Sequence, residues 1–422
     1  MLMILKQYKV RRIFKILKRC RSCDSNNLLK IYSNNSSPIG DLFSNKKELN
    51  TITNKKYPLN LLLCKKCKLV QLDIVIDYRI LNQNNLSTLQ TNTLLRQHFK
   101  DTSKALISKL NLKKKNKILE ILKSPNTFDA SLLKIFKIKG YKTLGIEFPN
   151  SKFQNYKPNH QKIISAKFNK ELVEKINLTY GKYELIIANN ILANIDDINS
   201  WISNIKNLLS EDGYFIFESS YLLDMVKNKV FDFIYHEHLS YFSMTSVQNL
   251  CKRHNLILFD YDHISTKGGS IRFYISKNKN ISKRVNKLID KEKKFKLFSK
   301  TTYKKLKTKI NIEKKNIQNF TNGKKNLIGF GASISCITLI YQFNLENKIS
   351  MLVDDNRIKE NKFSPGTQIK VLSPKKVSIT KKDIVLILPW RFQKNIIKKH
   401  NLLLKKAGSV IQIWPKFKII KV

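Results

Sequence analysis

Two cysteine pairs, Cys20-Arg21-Ser22-Cys23 and Cys64-Lys65-Lys66-Cys67, constrain this chain more than any other feature of its sequence. A Cys-x-x-Cys turn points both sulfurs to one side, and two such turns can close a tetrahedral shell of four thiolates around zinc. Four protein ligands leave no position open for water, so Cys20, Cys23, Cys64 and Cys67 are expected to hold a structural Zn2+. The interval between the pairs is about forty residues, longer than the ~15–20 of the commonest zinc ribbons. The competing reading leaves them as free thiols or a redox pair. Cys251 and Cys336 stand alone in apolar segments and read as small buried residues.

At 422 residues the chain exceeds one typical hydrophobic core, so two or three domains are expected. The formal charge of +50 would by itself nominate a nucleic-acid partner through counterion release. Lys greatly outnumbers Arg, however, and the lysines run along the whole sequence. Charge spread in this way builds no binding face, so no nucleic-acid partner is expected, although a zinc-ribbon nucleic-acid binder remains an alternative. The amino terminus, MLMILKQYKVRRIFKILK, breaks its apolar residues with Lys and Arg and lacks the core of a secretory signal. No apolar run reaches the ~20 residues that span a bilayer, and a cytoplasmic protein without a transmembrane segment is expected.

Hydrophobic periodicity divides the rest. Residues 1–80 show little helical pattern and read as a loop-rich amino-terminal extension and zinc module with little core of its own. Over 81–276 strand and helix patterns alternate: TLLRQHFKDTSKALISKL, NKILEIL, SLLKIFKIKG, YKTLGIE, YELIIANNIL, then the helix WISNIKNLL stopped by EDG, and YFIFES. Alternation at this spacing predicts an α/β, Rossmann-like domain with a parallel sheet. Residues 277–320 are almost all charge and spacing and read as one long exposed connecting helix. Residues 321–422 open on KNLIGFGAS and form a second α/β unit of Rossmann type.

With CRSC, CKKCKLVQL, LEI, GIE, IIANNILAN, DGYFIFES, FIYHEHLSYFS, GGSIRFYIS, GFGAS, VDDNRIKENKFSPGT and VIQIWP all in place, the chain resembles the three-part sugar C-methyltransferases over nearly its whole length. FIYHEHLSYFS is the most specific of these segments. The resemblance implies an amino-terminal zinc-binding domain, a class I S-adenosylmethionine-dependent core and a carboxy-terminal Rossmann-like domain that helps hold the substrate. It further implies methylation at carbon 3 of a nucleotide-diphosphate-linked 4-keto-deoxy sugar.

That chemistry needs a base for an acidified C–H, a way to hold the enolate, and a methyl aligned for in-line attack. His238 is the expected base, because imidazole titrates near neutral pH and the resemblance puts the base at the last His of the motif. Tyr235 and Glu237 are expected to orient the ring or the sugar hydroxyls, and Tyr241 to line the pocket. His236 and His238 alternate, so on an extended segment both would face one side. A catalytic metal there is not expected, since spacing places no third ligand. For the cofactor, Glu147 ends the second core strand, where a carboxylate can accept both ribose hydroxyls; the alternative is an ordinary strand-end charge. Glu120 is a second acidic candidate, and Asn189 and Asn190 follow a strand at its carboxyl end.

In the carboxy-terminal unit, Gly331 and Ser333 lie on a strand-to-helix turn whose amides could hold a phosphate, or could serve tight packing. Arg272, beside Lys267-Gly268-Gly269-Ser270, could offer a forked donor pair to a phosphate or could be a strand-edge charge. The turn after LEI, LKSPNTFDA, has no glycine where the resembling enzymes have several, and Asp129 stands in their Asp-Gly position. Asn194 replaces a His, the paired tyrosines are represented near Gln83 and Asn85, and Ser335-Cys336 replaces Lys-Gly. A homologue that binds a nucleotide sugar without turnover is the alternative these departures raise.

Overall fold

The computed structural model describes residues 13–45, 52–81, 93–122, 131–148, 163–265, 268–324, 326–367 and 369–422. Its centre is a seven-stranded sheet. We number the strands β1 (Lys117–Leu122), β2 (Lys142–Glu147), β3 (Ile163–Ser165), β4 (Tyr183–Ile187), β5 (Leu209–Ser220), β6 (Ile257–Ile264) and β7 (Ser270–Ser276). Their spatial order is β6-β7-β5-β4-β1-β2-β3. The strands are parallel except β7, which runs antiparallel to both its neighbours. Strands buried on both faces read as mainly apolar runs, and KILEIL and YELII, each interrupted by one glutamate, are close to that kind. Chain order reverses between β1 and β4, so the crevice at their carboxyl ends is where such a sheet binds ligands.

The helices follow their caps. Asn169 and Asp197 accept backbone N–H bonds at the starts of Lys170–Tyr180 and Ile198–Leu208. The second of these buries Ile198, Trp201, Ile202, Ile205 and Leu208 on one stripe. The expected stop at Glu211-Asp212-Gly213 falls elsewhere: the helix ends at Leu208, and those three residues form an irregular stretch inside β5. A side chain at Gly213 would meet the Tyr183 carbonyl at 2.8 Å, which gives the glycine a packing role in place of a terminating one.

The amino-terminal module is more ordered than its composition implies. Leu28–Ser37, Tyr57–Cys64 and Val70–Leu72 form an antiparallel sheet, with alternating Leu59, Leu61 and Leu63 buried. Its edge strand, Ser240–Tyr241, comes from the central domain and pairs with Val70 and Gln71. Phe14–Ile16 pairs separately with Ile74–Ile76.

The connector is not one exposed helix. It is two amphipathic helices, Lys283–Lys294 and Lys300–Thr321, that bury Val285, Leu288 and Ile289, then Tyr303, Leu306, Ile310 and Ile317. Glu292 on the first is fully buried and accepts from Tyr221 Oη (2.8 Å), Met244 N (2.6 Å) and Thr245 N (3.0 Å). It therefore satisfies the otherwise unpaired amides at the start of helix Met244–Arg253.

The carboxy-terminal unit is a six-stranded sheet in the order Lys370–Leu372, Ile349–Val353, Leu327–Phe330, Ile384–Ile387, Ser409–Gln412, Lys418–Ile420. Its first five strands are parallel and the last is antiparallel. Among the described residues, no helix is long and apolar enough to cross a membrane.

Candidate functional site

The four cysteines of the two turns converge. Cys20 Sγ lies 3.5 Å from Cys67 Sγ, Cys23 Sγ lies 3.5 Å from Cys64 Sγ, and all four sulfurs fall within 4.8 Å of one another. A tetrahedral zinc with ~2.3 Å bonds needs sulfurs about 3.8 Å apart, so the cluster has the size of the ion. Both turns are built alike: the residue after each pair, Asp24 or Lys68, is left-handed and returns its N–H to the carbonyl of the first cysteine. Between Cys20 and Cys23, Arg21 is buried against the core and donates to Asp196 Oδ1 (2.9 Å) and to the Leu72 carbonyl (3.0 Å).

Residues 231–238 form a short 3-10 turn and a bend rather than an extended strand. His236 and His238 consequently do not share a side. His236 is buried edge-on against the Tyr57 ring of the zinc module, at 5.9 Å. His238 turns back on its own loop: its Nδ1 lies 3.1 Å from the Phe233 carbonyl and its Nε2 lies 3.0 Å from Tyr235 Oη. A carbonyl only accepts, so Nδ1 carries a proton, and in the neutral ring Nε2 holds the lone pair to which the Tyr235 hydroxyl donates. Tyr241 closes the group from the edge strand, its hydroxyl 3.5 Å from the same carbonyl. Burial holds the phenols of Tyr235 and Tyr241 well above the ordinary value, so both remain donors.

Burial has the opposite consequence for His236, lowering its pKa to about 4 from the ordinary 6.5. The unfolded chain takes up this proton near pH 6.5 and the folded chain only near pH 4. Stability from this residue is therefore intact above pH 6.5 and lost as pH falls toward 4, by about 3 kcal/mol in all. Chemical denaturation at stepped pH should show that loss, and His236→Phe should lack it. An equal acid slope in the variant would remove His236 as its source.

A cleft of about 1450 Å³ opens between the zinc module and the carboxyl ends of the central strands. Phe148, Phe168 and Trp201 form its aromatic wall, and Trp201 stacks on Phe148 with ring centres 5.7 Å apart. Asn194, Glu237 and Leu239 line it toward the histidine loop, and Phe14 and Tyr78 face it from the zinc module. At the end of β2, Glu147 is buried and its Oε2 has no hydrogen-bond partner among the described residues. Burial raises its carboxyl, with a hydrogen bond from Ser165 opposing. Past β4, Asn189 Oδ1 and Asn194 Oδ1 are buried and equally unpartnered. Unpaired buried acceptors are costly, so a donor-bearing ligand with hydroxyl groups, such as the ribose of a nucleoside, fits this end of the sheet. Asn190 adopts a left-handed conformation at the same turn, and its N–H donates to the Glu218 carbonyl.

Several expected contacts are redirected. Glu120 is buried and accepts the Leu133 N–H at 2.5 Å, with its carboxyl pushed up to about 7 by desolvation; it anchors helix Leu132–Ile138 instead of facing the cleft. Arg272 is neither a strand-edge charge nor a free fork for phosphate. It is buried on β7, between β6 and β5, and spent on Glu218 Oε2 (3.0 Å) and Thr102 Oγ1 (2.6 Å). The turn carrying Gly331 and Ser333 is likewise taken: Asp354 accepts the Ala332 N–H at 2.6 Å, and Ser333 Oγ caps its own helix at Cys336 N. A carboxylate already on those amides opposes an anion there. Asp129, Gln83, Asn85, Lys267 and the glycine-free turn through residue 130 lie outside the described residues, as does the basic terminus through residue 12.

Three residues that periodicity does not flag hold the loop. Asp232 is fully buried and receives Arg391 Nη1 at 2.8 and 2.9 Å and Trp390 Nε1 at 3.3 Å, from the carboxy-terminal unit. The one signal was an acid set between two phenylalanines in Phe231-Asp232-Phe233, and it names no partner.

Against known proteins, three family models match in succession: "Putative zinc binding domain" over residues 20–81, "Methyltransferase domain" over 101–259, and "C-methyltransferase C-terminal domain" over 265–415. The C-methyltransferase NovU of Streptomyces niveus is 25% identical over 417 residues, covering 97% of this chain and 98% of that protein. Among solved structures, magnesium protoporphyrin IX methyltransferase of Synechocystis PCC 6803, with bound SAH, matches at 13% identity and a TM-score of 0.31. That match covers 45% of this chain and 89% of the other. Human N-acetylserotonin methyltransferase, in complex with SAM, matches at 10% identity and a TM-score of 0.32, over 44% of this chain and 54% of the other.

Proposed function

This chain belongs to the S-adenosylmethionine-dependent C-methyltransferases that carry a zinc-binding domain ahead of the transferase core, and from that premise we propose that it methylates carbon 3 of a nucleotide-linked 4-keto-deoxy sugar with His238 as the base. The observation that carries the reading is the pair of contacts on the His238 ring. With Nδ1–H tied to the Phe233 carbonyl, Nε2 is the ring nitrogen left to act as the base, and the hydroxyl on it belongs to a phenol that stays protonated. Removing the acidic proton beside the ketone requires that Tyr235 leave Nε2. The same hydroxyl can then donate to the ketone oxygen, where enolate charge develops.

S-adenosylmethionine, when bound, supplies an electrophilic methyl. Glu147 and Asn189 are the residues that would hold its ribose, since both present buried acceptors without partners. Glu237, on the cleft wall, would take sugar hydroxyls, and Tyr241 keeps the loop pinned beside them. The division of labour follows segments 1–80, 81–276, 277–320 and 321–422, with the last helping to hold the sugar nucleotide.

Calorimetry with S-adenosylmethionine as the sole ligand, followed by turnover with a thymidine-diphosphate 4-keto-deoxy sugar, tests this. Heat of binding and a product one methyl heavier are expected. Binding without product would remove this substrate class. Glu147→Ala should weaken donor binding about 10- to 100-fold, the loss of charge-assisted bonds to two hydroxyls. An unchanged affinity would leave Glu147 a plain strand-end charge.

A further inference from the structure

The geometry points to the carboxy-terminal unit as the element that decides which ring nitrogen of His238 carries the proton, through Arg391 and Trp390 acting on Asp232 and the Phe233 carbonyl. The chain of contacts is short. Arg391 and Trp390 follow Pro389 beyond strand Ile384–Ile387 and close on both oxygens of Asp232. The Arg391 guanidinium also lies over the Phe233 ring, 4.2 Å from its centre. The turn is pinned from behind, where the Phe231 ring meets Trp414 edge-on at 4.9 Å and Trp414 Nε1 donates to the Lys229 carbonyl at 3.0 Å.

Residues 231–233 are thus fixed on both sides by one unit, and the carbonyl they aim is the acceptor for His238 Nδ1–H. A ring nitrogen bonded to a carbonyl must be the protonated one, so the position of that carbonyl selects the tautomer. If the turn loosens, Nδ1 loses its acceptor, and the other tautomer, with its proton on Nε2, becomes accessible. That form cannot accept a proton on the side where Tyr235 lies. Arg391, Trp390 and Asp232 touch none of the reacting atoms in this arrangement; they are positioning residues.

The consequence for turnover rests on the reading of His238 as base, whereas the consequence for the ring does not. Histidine-labelled full-length protein, examined by long-range proton–nitrogen correlation, reports the tautomer directly, and the His238 signals are those lost in His238→Gln. The native protein should show Nδ1 protonated. Arg391→Gln should shift the ring toward Nε2 protonation and lower kcat about 10- to 100-fold, with KM for the sugar nucleotide and donor affinity within about twofold. Trp390→Phe removes one donor to Asp232 and keeps the ring, so it should give a smaller shift in the same direction should the Arg391 variant not fold. An unchanged ring pattern in a folded variant overturns the inference, whatever happens to kcat or KM. A shifted tautomer with undiminished kcat would support the positioning and instead remove His238 from the role of base.

Discussion

Cys64→Ser combined with Cys67→Ser should abolish zinc binding and with it both the amino-terminal sheet and methyl transfer. Structural zinc in small modules contributes about 10–16 kcal/mol of folding free energy, more than the whole stability of most domains. The loss should not stay local. Cys67 leads directly into Val70–Leu72, the strand that pairs with Ser240–Tyr241, which follows the histidine loop. Arg21 is locked to Asp196, and Asn249 donates to the Cys67 carbonyl at 3.1 Å, so the metal-bound turns also grip the core. The expected result is a zinc content falling from one per chain to none, early protease cleavage near residue 70, and turnover lost although the metal takes no part in the chemistry. A zinc-free double variant with native melting and native turnover would sink the account.

The elements most legible in the sequence were those whose physics is local. Two Cys-x-x-Cys turns need no partner to be recognised, and KILEIL or YELII is mostly apolar on both faces, with one glutamate each, because helices cover both faces of the sheet. Legibility failed where a residue's role is set by a distant partner. Nothing within ten residues of Asp232 announces Arg391, and the charge reads as solvent-exposed until the carboxy-terminal unit is folded against it. Arg272 failed for a related reason: alternation along Ser270–Ser276 permits an exposed edge, but β7 lies between β5 and β6, so its arginine must be paired inside. In the connector, lysines at nearly every outward position hid the 3.6-residue recurrence of Val285, Leu288, Ile289 and Glu292. His236 and His238 misled in a different way, since a period of two holds only for extended backbone and the loop bends between them.

That bend is why the second large effect belongs to one histidine alone. His238→Ala should lower turnover about 10²- to 10⁴-fold, the usual contribution of a positioned general base. It should leave melting nearly unchanged, because the ring is half-buried and its ring contacts with Phe233, Tyr235 and Tyr241 are local in sequence. Donor binding should also persist, since Glu147 and Asn189, the proposed ribose contacts, lie at the ends of β2 and β4 and not in the histidine loop. A partial reaction isolates the proton step. With the donor omitted and the keto sugar in heavy water, native protein should exchange the proton beside the ketone for deuterium, because Nε2 can take it up and return it without any methyl being transferred. His238→Ala should not. Deuterium uptake at native rate in the variant would move the base to another side chain, and the Tyr235 hydroxyl, freed of its imidazole partner, would be the first to test by Tyr235→Phe.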